Sequence, residues 1–198
     1  LKVLRANSVP EWYINSCMKI TYLFPKAHAT AYVLNAWRIA WFKLYYPLAF
    51  YAAYFNINAG LFDVETALGG IDAIKKKIQW IKTTKDIKEV EKDKLPVLEI
   101  MYEMLCRGFN FTKLDINKAQ ALKFTLVNDK ELMPSFNVIP GLGSIVINKL
   151  CEARDKRRFV SKEDLLERGN ITSANMETLE KLGIIDDLQD ISQNSLFD

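Results

Sequence analysis

The chain has 198 residues, 49% of them hydrophobic and 12% aromatic, with a formal net charge of +3. That much apolar material excludes a disordered chain and suffices for one large or two small cores. One histidine, His28, and three distant cysteines, Cys17, Cys106 and Cys151, exclude a local Cys/His zinc site, and the thiols read as reduced core residues.

The charge is uneven. Residues 1–60 carry +5, 61–140 carry +1, 141–168 carry +2 and 169–198 carry −5. Two basic zones point to a polyanionic partner, which the acidic end would avoid. The first residue is Leu and no signal peptide follows, so a piece of a longer, cytoplasmic protein is expected.

Near the N-terminus, Ser8 is expected to cap a helix, with Pro10 at its first position and Glu11 in its first turn. Trp12, Ile14, Cys17, Met18 and Leu23 predict that this short helix is buried. A long helix is predicted from about His28 to Tyr46, stopped by Pro47. It is apolar nearly all round. Arg38 and Lys43 lie inside it, and its uncharged core is shorter than the ~20 apolar residues of a membrane span. Burial in a large protein is therefore the expectation. Lys26, His28 and Arg38 are its polar exceptions. They either satisfy carbonyls and reach solvent, or form a cationic wall for a phosphate chain. Leu48 to Phe55 predicts the next helix.

Residues 61–108 predict a run of helices. Ile71, Ile74, Ile78 and Ile81 recur at helical spacing, with Lys75 to Lys77 on a solvated far side. Asp63 and Glu65 read as charge at a helix N-terminus and not as metal ligands. Asp86 to Lys94 is expected to be exposed. Leu95 to Cys106 is amphipathic, and Gly108 suits the C′ position of its cap. Phe124 to Val127 favours a strand, Asn128-Asp129 a turn, and Glu131 to Met133 a strand that pairs back.

The stretch from Phe136 to Lys149 reads F-N-V-I-P-G-L-G-S-I-V-I-N-K. Two glycines permit a tight turn and close approach of backbone to another molecule. Ser144 is the expected N-cap of the helix that follows. A tight turn feeding a helix N-terminus presents unpaired N–H groups to an anion. The basic residues Lys149, Arg154, Lys156, Arg157, Arg158, Lys162 and Arg168 come next, the footprint of phosphate binding. Further on, Ser161-Lys-Glu-Asp164 starts a short helix, Gly169-Asn170 breaks it, and Thr172 to Leu182 resumes helix until Gly183.

The pattern Pro140-Gly141-Leu142-Gly143 resembles the helix-hairpin-helix motif. That resemblance assigns the amides of Leu142, Gly143 and Ser144, beside Gly141, to a DNA phosphate, with Lys149, Arg154, Arg157 and Arg158 around it. Ile147 stands where the motif usually has a small residue. The stretch F-P-K-A-H-A-T-A-Y-V-L, followed by W-F-K-L-Y-Y-P-L-A-F-Y-A-A, resembles the fingers of the PolC-type alpha subunit of bacterial DNA polymerase III. In that family such residues line the path of the incoming nucleotide, which places Lys26 and His28, and with them Arg38, near it. The terminal Gln193-Asn194-Ser195-Leu196-Phe197 resembles a sliding-clamp-binding motif. By that resemblance Gln193 hydrogen-bonds at a pocket rim and Leu196 and Phe197 fill the pocket, with Ser195 also counted as clamp-binding.

The expected fold is mainly α. A helical fingers segment (1–60) precedes a helical duplex-binding segment with a small hairpin (61–135), tandem helix-hairpin-helix motifs (136–188) and a flexible tail (189–198). The resemblance implies a part of a replicative polymerase that holds duplex DNA and tethers the enzyme to the sliding clamp. No catalytic residue, metal or cofactor is expected in this chain. Mg²⁺ is expected in the palm of the whole polymerase. The expected partners are duplex DNA, the clamp and the rest of the polymerase, with no membrane. A stand-alone helix-hairpin-helix module of a repair protein is the alternative.

Overall fold

The structure, a computed structural model, describes residues 1–20, 22 and 24–191. The chain divides into two compact units, Leu1–Trp41 and Phe42–Asp198.

The first unit holds α1 (Lys2–Ala6), α2 (Glu11–Lys19) and most of α3 (Lys26–Tyr45). Ser8 does not cap α2. It takes a left-handed backbone, φ 56°, and Pro10 is the N-cap itself. Burial in α2 is confined to Ile14, while Trp12, Met18 and Cys17 are exposed. No residue of α3 is buried. Its surface is apolar as the sequence indicates, and the described residues do not bury it.

The second unit is built around an aromatic centre. α4 (Pro47–Ile57) starts with Pro47, whose missing N–H costs nothing in the first turn. It buries Leu48, Tyr51, Ala52 and Phe55. The Phe55 ring lies 5.3 Å from that of Phe62, 5.4 Å from Phe111 and 5.7 Å from Phe124. Residues 47–57 therefore share a core with the segments C-terminal to them. α5 (Val64–Leu68) is capped by Asp63, whose carboxylate accepts the Thr66 amide at 3.0 Å. α6 (Gly70–Thr83) packs on α8 (Leu95–Cys106), and α7 (Glu89–Asp93) lies between them in the chain and packs on α8. Ile74 and Ile81 are buried and Ile71 is exposed. Lys77 departs from the solvated face expected of it, since it pairs with Glu91 at 2.8 Å and lies over the Trp80 ring. α8 ends at Gly108, φ 81°, with Phe109 N–H donating to Met104 and Gly108 N–H to Leu105, a Schellman cap.

Three short strands come next, β1 (Asn110–Phe111), β2 (Thr125–Leu126) and β3 (Glu131–Met133), in the order β1-β3-β2. β2 and β3 form the predicted antiparallel pair, Thr125 opposite Met133. β1 adds a parallel partner, Asn110 opposite Glu131. Two residues are too few to announce a strand by alternation.

α9 (Ser144–Lys156), α10 (Lys162–Arg168) and α11 (Ser173–Lys181) complete the unit. Gly169 lies where a Cβ would meet the Leu165 carbonyl at 2.4 Å and Leu150 Cδ1 at 3.1 Å, so only glycine permits this packing. After α11 the chain returns to the start of α10, where Lys162 N–H donates to Gln189 and Glu163 N–H to Asp190. The tail expected to be flexible from residue 189 is thereby corrected at its start, because Gln189 and Asp190 are bonded. Cys106 is exposed and Cys151 half-buried, so the cysteines are not core residues.

Candidate nucleic-acid interface

Ile139 to Leu142 forms a type II turn. Pro140 supplies its fixed φ, Gly141 takes φ 83°, and Leu142 N–H donates to the Ile139 carbonyl at 3.3 Å. Gly141 is therefore required by backbone geometry. The Leu142 amide closes the turn and its side chain is buried. Gly143, not Ser144, is the N-cap of α9. Ile147 N–H donates to the Gly143 carbonyl, the first bond of the helix. The amides of Ser144, Ile145 and Val146 have no carbonyl one turn earlier within the helix, and they carry the positive end of a 13-residue helix.

Gly143 differs from Gly141. Its backbone is extended, φ −75° and ψ 158°, which any residue adopts. A Cβ there would meet nothing within 4 Å. Nothing among the described residues calls for glycine at this position. A side chain would instead cover the exposed mouth of the turn.

The basic residues divide into two groups. Arg154 is turned inward, its side chain only 13% exposed, and it donates to the Ala119 carbonyl. Its expected place among the phosphate ligands is thereby corrected, because its charge serves the fold. Arg168 likewise binds Asp164 and the carbonyls of Ala153, Arg157 and Arg158. Lys162 is held between Glu180 at 3.1 Å and Asp190 at 2.9 Å. Arg157 reaches Asp164 at 2.8 Å yet stays largely exposed. Lys149, Lys156 and Arg158 are exposed, and no ion pair involves them among the described residues.

Asp164 is the centre of the inward group. It is 4% exposed and meets Arg168, Arg157 and the Val160 amide. The Arg168 guanidinium holds its carboxyl well down, to about 2.

Two residues not singled out from the sequence also shape the region. Asn117 clamps Phe159, donating to its carbonyl and accepting its amide. Asn175 completes a capping box with Thr172 and reaches back to Gly141 at 3.1 Å. The T-x-x-N spacing was the only sign of the second.

Lys26 and His28 share the first turn of α3, and the His28 ring lies between those of Phe24 and Tyr32, at 4.9 and 4.7 Å. Arg38 is twelve residues on from Lys26, about 18 Å along the axis. All three are exposed. Gln193, Ser195, Leu196 and Phe197 lie outside the described residues. Among the described residues, no group of three or more His, Cys, Asp or Glu side chains is gathered as metal ligands would be. Among the described residues, no helix is long and apolar enough to cross a membrane.

The helix-hairpin-helix motif family matches residues 108–195. Over its whole length the chain is 43% identical to the DNA polymerase III PolC-type of Streptococcus sanguinis, and equally to those of Streptococcus thermophilus and Streptococcus pyogenes. It spans 14% of the length of these relatives. From its first residue to its last, the chain is thus similar to one segment of the PolC-type DNA polymerase III proteins.

Proposed function

We propose that this chain holds duplex DNA by its phosphate backbone, without reading sequence, as one segment of a replicative DNA polymerase. The observation that carries the reading is Gly143. It is a glycine with no conformational or steric need inside the fold, placed at the N-terminus of α9 where a phosphate would seat. The amides of Gly143 and Ser144 take one phosphate. Lys149, Lys156, Arg157 and Arg158 attract its neighbours along the strand.

The test is Gly143→Ala, with binding to a labelled duplex followed by fluorescence anisotropy. Affinity should fall roughly tenfold or more as the methyl blocks approach, while stability changes by at most about 1 kcal/mol, the range of an N-cap change. Binding of the unaltered chain should weaken steeply between about 50 and 200 mM salt, because phosphate contacts release counterions. An unchanged affinity for the variant sinks the proposed seat.

In the same reading Gln193, Ser195, Leu196 and Phe197 enter a pocket on the sliding clamp. A second attachment raises the effective concentration of the first. Calorimetry of the chain with and without residues 193–198 tests this, and equal clamp binding by both would refute it. Lys26, His28 and Arg38 face the path of the nucleotide in the assembled polymerase. Primer extension with Mg²⁺ is the activity proposed for the whole protein, with the metal held outside this segment. The chain alone is proposed to bind DNA without extending it, and nucleotide incorporation by the isolated chain would overturn that.

A further inference from the structure

The carboxamide of Asn175 belongs to two hairpins at once. Its Oδ1 accepts the Thr172 amide at 3.1 Å and the Thr172 hydroxyl at 2.9 Å. Its Nδ2 donates to the Gly141 carbonyl at 3.1 Å. The partners fix which atom faces which. A backbone amide can only donate, so oxygen must face it, and a carbonyl can only accept, so nitrogen must face that. The side chain is buried, which makes each bond costly to lose. Gly141 is the residue whose left-handed backbone forms the turn leading into Gly143 and Ser144.

We propose that Asn175 is a positioning residue for phosphate binding. It anchors the Gly141 peptide from behind, so that the Gly143 and Ser144 amides are aimed outward before DNA arrives. The inference rests on the phosphate-seat reading above. Its physical content is preorganisation. A turn held by its own 3.3 Å bond alone samples other directions, and ordering it on binding lowers affinity. With Asn175 in place, the second hairpin serves the first without itself touching DNA.

Asn175→Asp separates the two roles of the side chain. A carboxylate still accepts from Thr172, so the cap of α11 survives. It has no proton for Gly141 and sets oxygen against oxygen there. The added negative charge is controlled by Asn148→Asp, on an exposed position of α9. Both variants and the unaltered 198-residue chain are titrated against a labelled duplex of arbitrary sequence at several salt concentrations, and their thermal unfolding is recorded.

The expected result is DNA binding by the unaltered chain, with Asn175→Asp roughly tenfold weaker than Asn148→Asp, one hydrogen bond's worth of affinity. Its unfolding temperature falls by a few degrees for the lost buried bond while the chain stays folded at the binding temperature, and its salt slope is shallower by about one phosphate contact. Equal affinity of the two variants overturns the positioning role while leaving the phosphate seat standing. No binding by the unaltered chain at low salt overturns the seat, and the inference with it. If Asn175→Asp fails to fold, the side-chain amide protons of Asn175 in the unaltered chain decide by NMR. Slow exchange with solvent supports the anchor, and free exchange overturns it.

Discussion

Arg168 grips Asp164 as a fork, Nε to Oδ1 at 2.5 Å and Nη2 to Oδ2 at 2.7 Å, while its guanidinium lies over the Phe159 ring at 4.7 Å. The same side chain donates to the carbonyls at the C-terminal end of α9. One cation thus neutralises a buried acid and closes a helix. Arg168→Ala should destabilise the second unit by about 2–3 kcal/mol, since it removes the forked partner of the buried Asp164 charge and leaves it only Arg157 and the Val160 amide. Arg168→Lys should recover little of that, because a point charge cannot reproduce the fork. Chemical denaturation of the three proteins checks both.

Asp164 sets an acid limb. Its folded value of about 2 lies below the ordinary aspartate value of 3.8, so folding favours the charged form. The resulting stability, about 2 kcal/mol, is complete above roughly pH 4 and disappears as pH falls toward 2. Denaturation from pH 6 downward should show that loss. In Asp164→Asn the limb should flatten and the plateau should be lower.

Arg154 and Arg158 sit four residues apart and should answer differently. Arg158→Ala removes an exposed cation, so DNA affinity falls and the salt slope drops by about one, with stability unchanged. Arg154→Ala uncovers the Ala119 carbonyl it now satisfies and should cost about 1–3 kcal/mol of stability, with the salt slope retained. A loss of slope in Arg154→Ala alone would contradict the inward placement.

The core centred on Phe55 decides where the chain can be cut. Tyr51 and Phe55 are fully buried beside Phe62, Phe111 and Phe124. Phe55→Ala should cost about 3–5 kcal/mol, a large part of the 5–15 kcal/mol typical of a domain. A truncated chain starting at residue 61 should therefore lose cooperative unfolding, and one starting at residue 42 should keep it. Thermal melts of the two distinguish the outcomes.

Much of this architecture was legible from local chemistry. Gly108 and Gly183 marked helix ends because left-handed caps favour glycine. Pro140-Gly141 marked the turn, and Ser161 and Thr172 marked helix starts, each through a bond within a few residues. The hidden features depend on distant partners. Arg154 and Arg158 are alike in sequence, and only the approach of Ala119, 35 residues away, assigns one to the fold. β1 was hidden because a two-residue strand is defined by its neighbour. What covers α3 was not legible, because composition reveals an apolar surface without saying which chain covers it.

α3 has 20 residues, and none of them is buried among the described residues. A helix of that length without packing is near the margin of its own stability in water. Near its end the fastening begins, where Lys43 meets Glu103 at 2.6 Å and Arg107 donates to the Lys43 carbonyl. Its amides should therefore show a gradient of hydrogen exchange, fast at Lys26 and slow toward Tyr45, so that the helix frays from one end and is seeded from the other.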